Sequence, residues 1–205
     1  MSEFHYKAIG YHGCVEAVAE KIGSDGVDAW DESKAGWLGP GIYFWDNDRG
    51  TGLWWAKHVC DKNEGESPAL IKALINLDGA LDLTNVFGQN VLKRLHNLTQ
   101  TKPNVRKELD AVSEEGMSPI AALVQLAIKR LERKSGRTFS SIRVPVHMDE
   151  THDSMETLFL DERGDESHNG SDNSEDDPNL GLTVGFRMVI LVKDKKVLEA
   201  VEVQQ

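Results

Sequence analysis

Cysteine is scarce in this 205-residue chain: there are two, Cys14 and Cys60. Their separation matches no metal-ligand spacing, and two isolated thiols argue against a disulfide scaffold and for a reducing compartment. Long apolar runs are missing as well. No stretch approaches the length that crosses a bilayer, and Met-Ser-Glu-Phe-His-Tyr-Lys at the start has no basic region leading into an apolar one. The expectation is a cytoplasmic protein without a membrane segment. Positive charge is in deficit, with 23 Lys and Arg against 34 Asp and Glu and a net charge of −11. Such a balance repels phosphate backbones at long range and argues against non-specific nucleic-acid binding. Local basic groups remain, over residues 93–107 and 129–137, and read as solvated helix faces. Apolar content, 40%, is slightly low, but the shortfall is concentrated in residues 161–179. That acidic stretch has no apolar periodicity and reads as a disordered loop inside one domain that spans residues 1–205.

What is present is patterned. Residues 6–12 read as a strand that delivers His12 to a turn at Gly13, followed by an amphipathic helix over 14–23 that Gly23 ends. Residues 24–36 read as a loop, Gly39-Pro40-Gly41 as a forced turn, and residues 42–45 as a strand. Asp46-Asn47-Asp48 can cap the next helix. Residues 69–77 form a buried-strand pattern, turned by Asp78-Gly79. A helical block follows over about 86–135: residues 86–98, 104–115 and, most clearly, 118–134, stopped by Gly136. Strands are expected at 141–146, with Pro145 favouring an edge, at 157–160, and in two runs from 185 to 203. This order predicts an α+β fold with a split, mainly antiparallel sheet and a helical insertion. Gly39-Pro40-Gly41 lacks the third glycine of a dinucleotide fingerprint.

The densest signal is a motif pair. Tyr11-His12-Gly13-Cys14 is followed by Gly39-Pro40-Gly41-Ile42-Tyr43-Phe44-Trp45-Asp46 and then by Thr51-Gly52-Leu53-Trp54-Trp55. Glycine lets a flat ligand approach the backbone, and aromatic rings cover its faces. Over residues 10–57 the chain resembles the ADP-ribosyltransferase fold, in its poly(ADP-ribose) polymerase-like branch. That resemblance implies NAD as co-substrate and a macromolecular acceptor, protein or nucleic acid. It also implies residue roles. His12 would bind the adenosine ribose, and the Gly13 backbone the nicotinamide carboxamide. Tyr43 and Trp54 would cover the two faces of the nicotinamide ring, and Thr51 would donate its hydroxyl to the carboxamide oxygen.

The resemblance breaks at one position. Family transferases place a glutamate at the start of a late strand, and here that position falls near Val189. Glu199 or Glu202 on the last strand could substitute, or Glu150 or Glu156 from the preceding loop, with Glu150 the candidate third catalytic group beside His12 and Tyr43. Otherwise the site has lost part of its chemistry. An apolar residue at this position goes, in the family, with mono-ADP-ribosylation or inactivity. His147-Met148-Asp149-Glu150-Thr151-His152-Asp153 is dense in metal-capable groups but does not match His-Glu-x-x-His spacing, so it reads as an acidic rim loop and no metal is expected. A Cys14–His12 nucleophile lacks a third orienting group.

Overall fold

The two longest strand patterns pair with each other. Lys7–Val15 (β1) runs antiparallel to Pro68–Asn76 (β3) through nine residue pairs, from Lys7 against Asn76 to Val15 against Pro68. The structure is a computed structural model that describes residues 6–33, 38–62, 65–113, 117, 119–148, 155–156 and 186–204. The expected strand at 157–160 and the acidic stretch at 161–179 lie outside the described residues. Around β1 and β3 assemble Ile42–Asp46 (β2), Ala80–Asp82 (β4), Ser141–Met148 (β5), Met155–Glu156 (β6), Phe186–Val192 (β7) and Leu198–Gln204 (β8). The sheet order is β4-β5-β7-β2-β1-β3-β8, with β6 beside β5. Among the described pairs only β4 with β5 is parallel. The fold is thus α+β with a mainly antiparallel sheet.

Helices cover both faces. Glu16–Asp25 (α1) lies on one, where Ala19, Ile22 and Trp30 join Ile42, Phe44, Ile71 and Ile190 in a buried cluster. On the other, Val86–Thr101 (α3), Pro103–Asp110 (α4) and Pro119–Ser135 (α5) bury Leu92, Val105, Leu123 and Ile128 with Trp45, Ile142, Val189 and Leu191. Arg49–Asp61 (α2) packs on β1 and β3.

Three local expectations need correction or refinement. β1 does not turn at Gly13 but continues to Val15, because Gly13 is paired to Leu70 in the ladder. α1 passes through Gly23 and stops at Gly26, whose φ of 80° is a conformation few side chains accept. Pro145 sits opposite Met188 of β7, while on its other side β4 reaches only Arg143 and β6 starts at His147. The missing amide hydrogen therefore faces an open stretch of strand, as proline requires.

Candidate functional site

β1 and β2 form a short ladder. Gly10 pairs with Asp46 and Tyr11 with Trp45, and the Asn47 amide reaches Ile9. Beyond Tyr11 the two strands stop pairing, although β1 stays bonded to β3 and β2 to β7. The sheet is split there, and His12 stands at the split. Its Nδ1 lies 2.8 Å from the Tyr43 carbonyl oxygen, which the β1–β2 ladder leaves unused.

A carbonyl only accepts, so Nδ1 carries the hydrogen and Nε2 keeps a lone pair. The ring packs edge-on to Trp30, with centroids 4.9 Å apart at 79°, and against Phe44 at 5.8 Å. Burial pushes the His12 pKa below 6.5, against the smaller upward pull of the Tyr43 carbonyl. The imidazole is therefore neutral at pH 7, a hydrogen-bond acceptor for a hydroxyl. The unfolded chain takes up a proton near pH 6.5 and the native state only lower, so this stability is present above pH 6.5 and lost as pH falls through that window. Urea midpoints between pH 7.5 and 5 should fall less steeply for His12→Gln than for the parent. The difference is bounded by about 1.4 kcal/mol per pH unit, and equal slopes would rule out a neutral, partly buried histidine.

That carbonyl is Tyr43's own, but the Tyr43 side chain leaves on the other face. Gly10, His12 and Phe44 share the α1 face; Tyr11, Gly13, Tyr43 and Trp45 share the helical-layer face. The Tyr43 hydroxyl donates to the Gly39 carbonyl at 2.5 Å and accepts from the Leu38 amide at 3.0 Å. Burial raises its pKa. The phenol is thereby pinned to the turn at residues 39–41. Gly39 (φ 107°) and Gly41 (φ 145°) are the expected turn glycines, and a Cβ on Gly39 would meet Gln125 Nε2 at 2.3 Å. Gln125 donates to the Leu38 carbonyl at 2.8 Å, so α5 also holds the turn.

Gly13 is covered by a helix. A Cβ there would lie 2.2 Å from the Gly52 oxygen and 2.6 Å from the Ala56 nitrogen of α2. The helix start is fixed by Asp48, which accepts the Thr51 amide at 3.0 Å and the Thr51 hydroxyl at 2.7 Å. Arg187 of β7 reaches the same carboxylate at 3.2 Å. Thr51 thus gives its hydroxyl hydrogen to Asp48 and presents lone pairs, the polarity of an acceptor for an amide N–H, whereas the resemblance implied a donor. Trp54 is 42% exposed and stacks on His58, with centroids 5.5 Å apart at 9°. Trp55 lies against it at 6.1 Å and against Trp45 at 6.2 Å.

The structure therefore brings Gly13, Tyr43 and Thr51 to one face beside α2, leaves Trp54 on the outer side of that helix, and sets His12 at the split facing α1. Val189 is buried opposite Trp45 and Val144. Glu199 and Glu202 stand on β8, three strands from β2 in the sheet order, where Glu199 pairs with Lys7 and Glu202 with Lys72. Neither reaches Tyr43. Glu150 and most of the cluster at 147–153 lie outside the described residues. The Cys14 thiol is pushed up to about 12, chiefly by burial, which leaves it a poor nucleophile.

Four residues escaped sequence reasoning. Trp30 is an isolated aromatic in a polar loop. Gln125 is the one polar side chain in the run from 121 to 128, which is a readable signal for a buried hydrogen bond. Arg187 has no such signal. Arg143, which donates to Asp46 at 2.6 Å and to the Tyr6 hydroxyl at 2.9 Å, ties β5 to β2 and to the residue just before β1. No helix among the described residues is long and apolar enough to cross a membrane. No family model, no curated protein and no solved structure matches this chain.

Proposed function

We propose that the chain is an NAD-dependent mono-ADP-ribosyltransferase of the poly(ADP-ribose) polymerase-like kind, with NAD as co-substrate and a macromolecule as acceptor. One observation carries this reading: the bond from His12 to the Tyr43 carbonyl at the place where the β1–β2 ladder ends. It puts a neutral imidazole acceptor and a pinned phenol on the two sides of one break in the sheet. An extended dinucleotide has two ends to be held, a ribose hydroxyl and a flat carboxamide ring, and these are the partners the two side chains suit. Nε2 of His12 would accept from the ribose hydroxyl. Tyr43 would offer a ring face and Thr51 a lone pair to the carboxamide.

The donor set fits NAD, with one gap. Cleavage of the nicotinamide–ribose bond leaves an oxocarbenium-like sugar, which the family steadies with a carboxylate. Val189 supplies none, and a charge at its buried position opposite Trp45 would be costly. Glu150 is the candidate for that task. Chain extension into a polymer is not part of the proposal.

The buried Val189, together with a Thr51 hydroxyl already committed to Asp48, favours a second reading: the same fold holding a nucleotide or peptide without turnover. Incubation with NAD labelled in both halves separates the readings. Nicotinamide release with label retained on protein or nucleic acid supports the transferase. Release with all label in free ADP-ribose makes the protein a glycohydrolase, and saturable binding without release makes it a binding module. Absence of any binding removes all three.

A further inference from the structure

The negative charge of the chain is not spread evenly. Residues 149–185 hold twelve Asp and Glu against one Arg, a charge of −11 that equals that of the whole chain. The remainder balances at 22 acidic and 22 basic residues. Within it, residues 86–137 carry ten Lys and Arg against five Asp and Glu. The helical layer is therefore a positive body in an acidic protein.

Its cations crowd the end of α5, where Lys129, Arg130, Arg133, Lys134 and Arg137 stand against Glu132 alone within nine residues. A helix C-terminus favours one or two cations in its last turn. Like charges one turn apart, as in Lys129/Arg133 and Arg130/Lys134, cost a few tenths of a kcal/mol each. Internal pairing relieves little of this. Arg130 binds Glu108 at 2.9 Å, and Glu132 accepts the Phe139 amide. Lys129, Arg133, Lys134 and Arg137 are exposed and have no carboxylate at ion-pair distance among the described residues. Glu108, held by Arg130, also feels Arg133 and Lys129, so internal charge compensation accounts for only part of this row.

A groove of about 260 Å³ runs along the same helix. Lys129 and Glu132 line it on the α5 side, Lys193 stands on the β7–β8 turn, and Val112, Ile128 and Pro40 complete its wall. Pro40 belongs to the turn that pins Tyr43. A second groove, which shares Lys193, sets Asp28, Glu32 and Asp194 against its lysines, so its charge cancels. Of the two, the α5 groove combines a cationic rim, apolar wall residues and proximity to the candidate site.

We infer that the groove walled by Lys129 and Lys193, and continued by Arg133 along α5, docks the phosphate backbone of a single-stranded nucleic acid. Successive cations one helical turn apart, about 6 Å, meet successive phosphates. Arginine suits phosphate through its planar fork of donors, and the apolar wall residues take an unstacked base. The inference does not depend on the NAD reading. Where both hold, nucleic acid becomes the acceptor class.

The test is fluorescence anisotropy of the full chain with a labelled single-stranded oligonucleotide of about 12 nucleotides, without NAD. Binding at about 50 mM salt is expected, weakening steeply toward about 200 mM. The triple variant Lys129→Gln/Arg133→Gln/Lys193→Gln should lower the logarithmic salt slope by about 2, at about 0.7 per lost phosphate contact, with an unchanged melting temperature. Arg133→Gln alone should lower it by about 0.7. Lys57→Gln, on the outer surface of α2, should leave binding as it was. No binding at low salt, an unchanged slope in the triple variant, or equal affinity for polyglutamate would overturn the inference. None of these results bears on NAD turnover.

Discussion

Gly13→Ala is expected to damage this protein severely for the addition of a single methyl group. The added Cβ would sit 2.2 Å from a backbone oxygen and 2.6 Å from a backbone nitrogen of α2. Neither atom can rotate away as the end of a flexible side chain could. Either α2 lifts from β1 or β1 leaves its ladder with β3. Overpacking of this severity costs about 3 kcal/mol, at the upper end of its range, and for a chain of this size lowers the melting temperature by roughly 6–12 °C. The separation of α2 from β1 also moves Thr51, next to Gly52, so NAD-dependent nicotinamide release should fall with it. Calorimetry and the release assay check the two parts separately. A variant that melts with the parent would show that α2 does not press on this strand. The second cause for glycine here, room for a ligand against the backbone, predicts lost turnover at parental stability.

Tyr43 carries the second large effect. Its phenol bridges the Leu38 amide and the Gly39 carbonyl, and its ring packs into the helical-layer core. Tyr43→Ala removes both, and NAD turnover should fall at least tenfold, equivalent to about 1.4 kcal/mol in the barrier. Tyr43→Phe keeps the ring and loses only the two hydrogen bonds. It leaves the Leu38 amide without that acceptor, which costs about 1–3 kcal/mol of stability where the amide is buried. The Phe variant should therefore be less stable than the parent yet retain most of its turnover, if the ring face is what the substrate meets. Folded Tyr43→Ala with parental kinetics would take Tyr43 out of the site.

The fold class was readable because it depends on short-range patterns. The continuous apolar run at residues 69–77 becomes β3, the capping Asp48 opens α2, and Gly136 with φ 69° closes α5. Each of these is decided within a few residues. Gly13 and Gly23 misled for the same reason. A glycine reads locally as a turn or a stop, but β3 keeps Gly13 extended by pairing it with Leu70, and Gly23 stays helical because no left-handed residue comes before Gly26. The site was legible as residue types. His12 and Tyr43 stand out as a motif pair, and Thr51 enters through the family resemblance. Their polarities were not, because a hydroxyl or an imidazole takes its role from the partner it meets. Asp48 makes Thr51 a donor toward itself, and the Tyr43 carbonyl makes Nε2 of His12 the acceptor.

By itself the sequence determined an α+β chain with its glycine turn at 39–41, its helical block, and the residue types of the proposed nucleotide site. Those features follow from local conformational preference and from which side chains avoid water. Only the tertiary structure decided that β1 and β2 part after Tyr11, that His12 and Tyr43 leave the sheet on opposite faces, that α2 rests on Gly13, and that β8 carries Glu199 and Glu202 away from Tyr43. The reason is physical: strand order and helix contact join residues far apart in the chain, and no pattern within a few residues encodes which surfaces will meet.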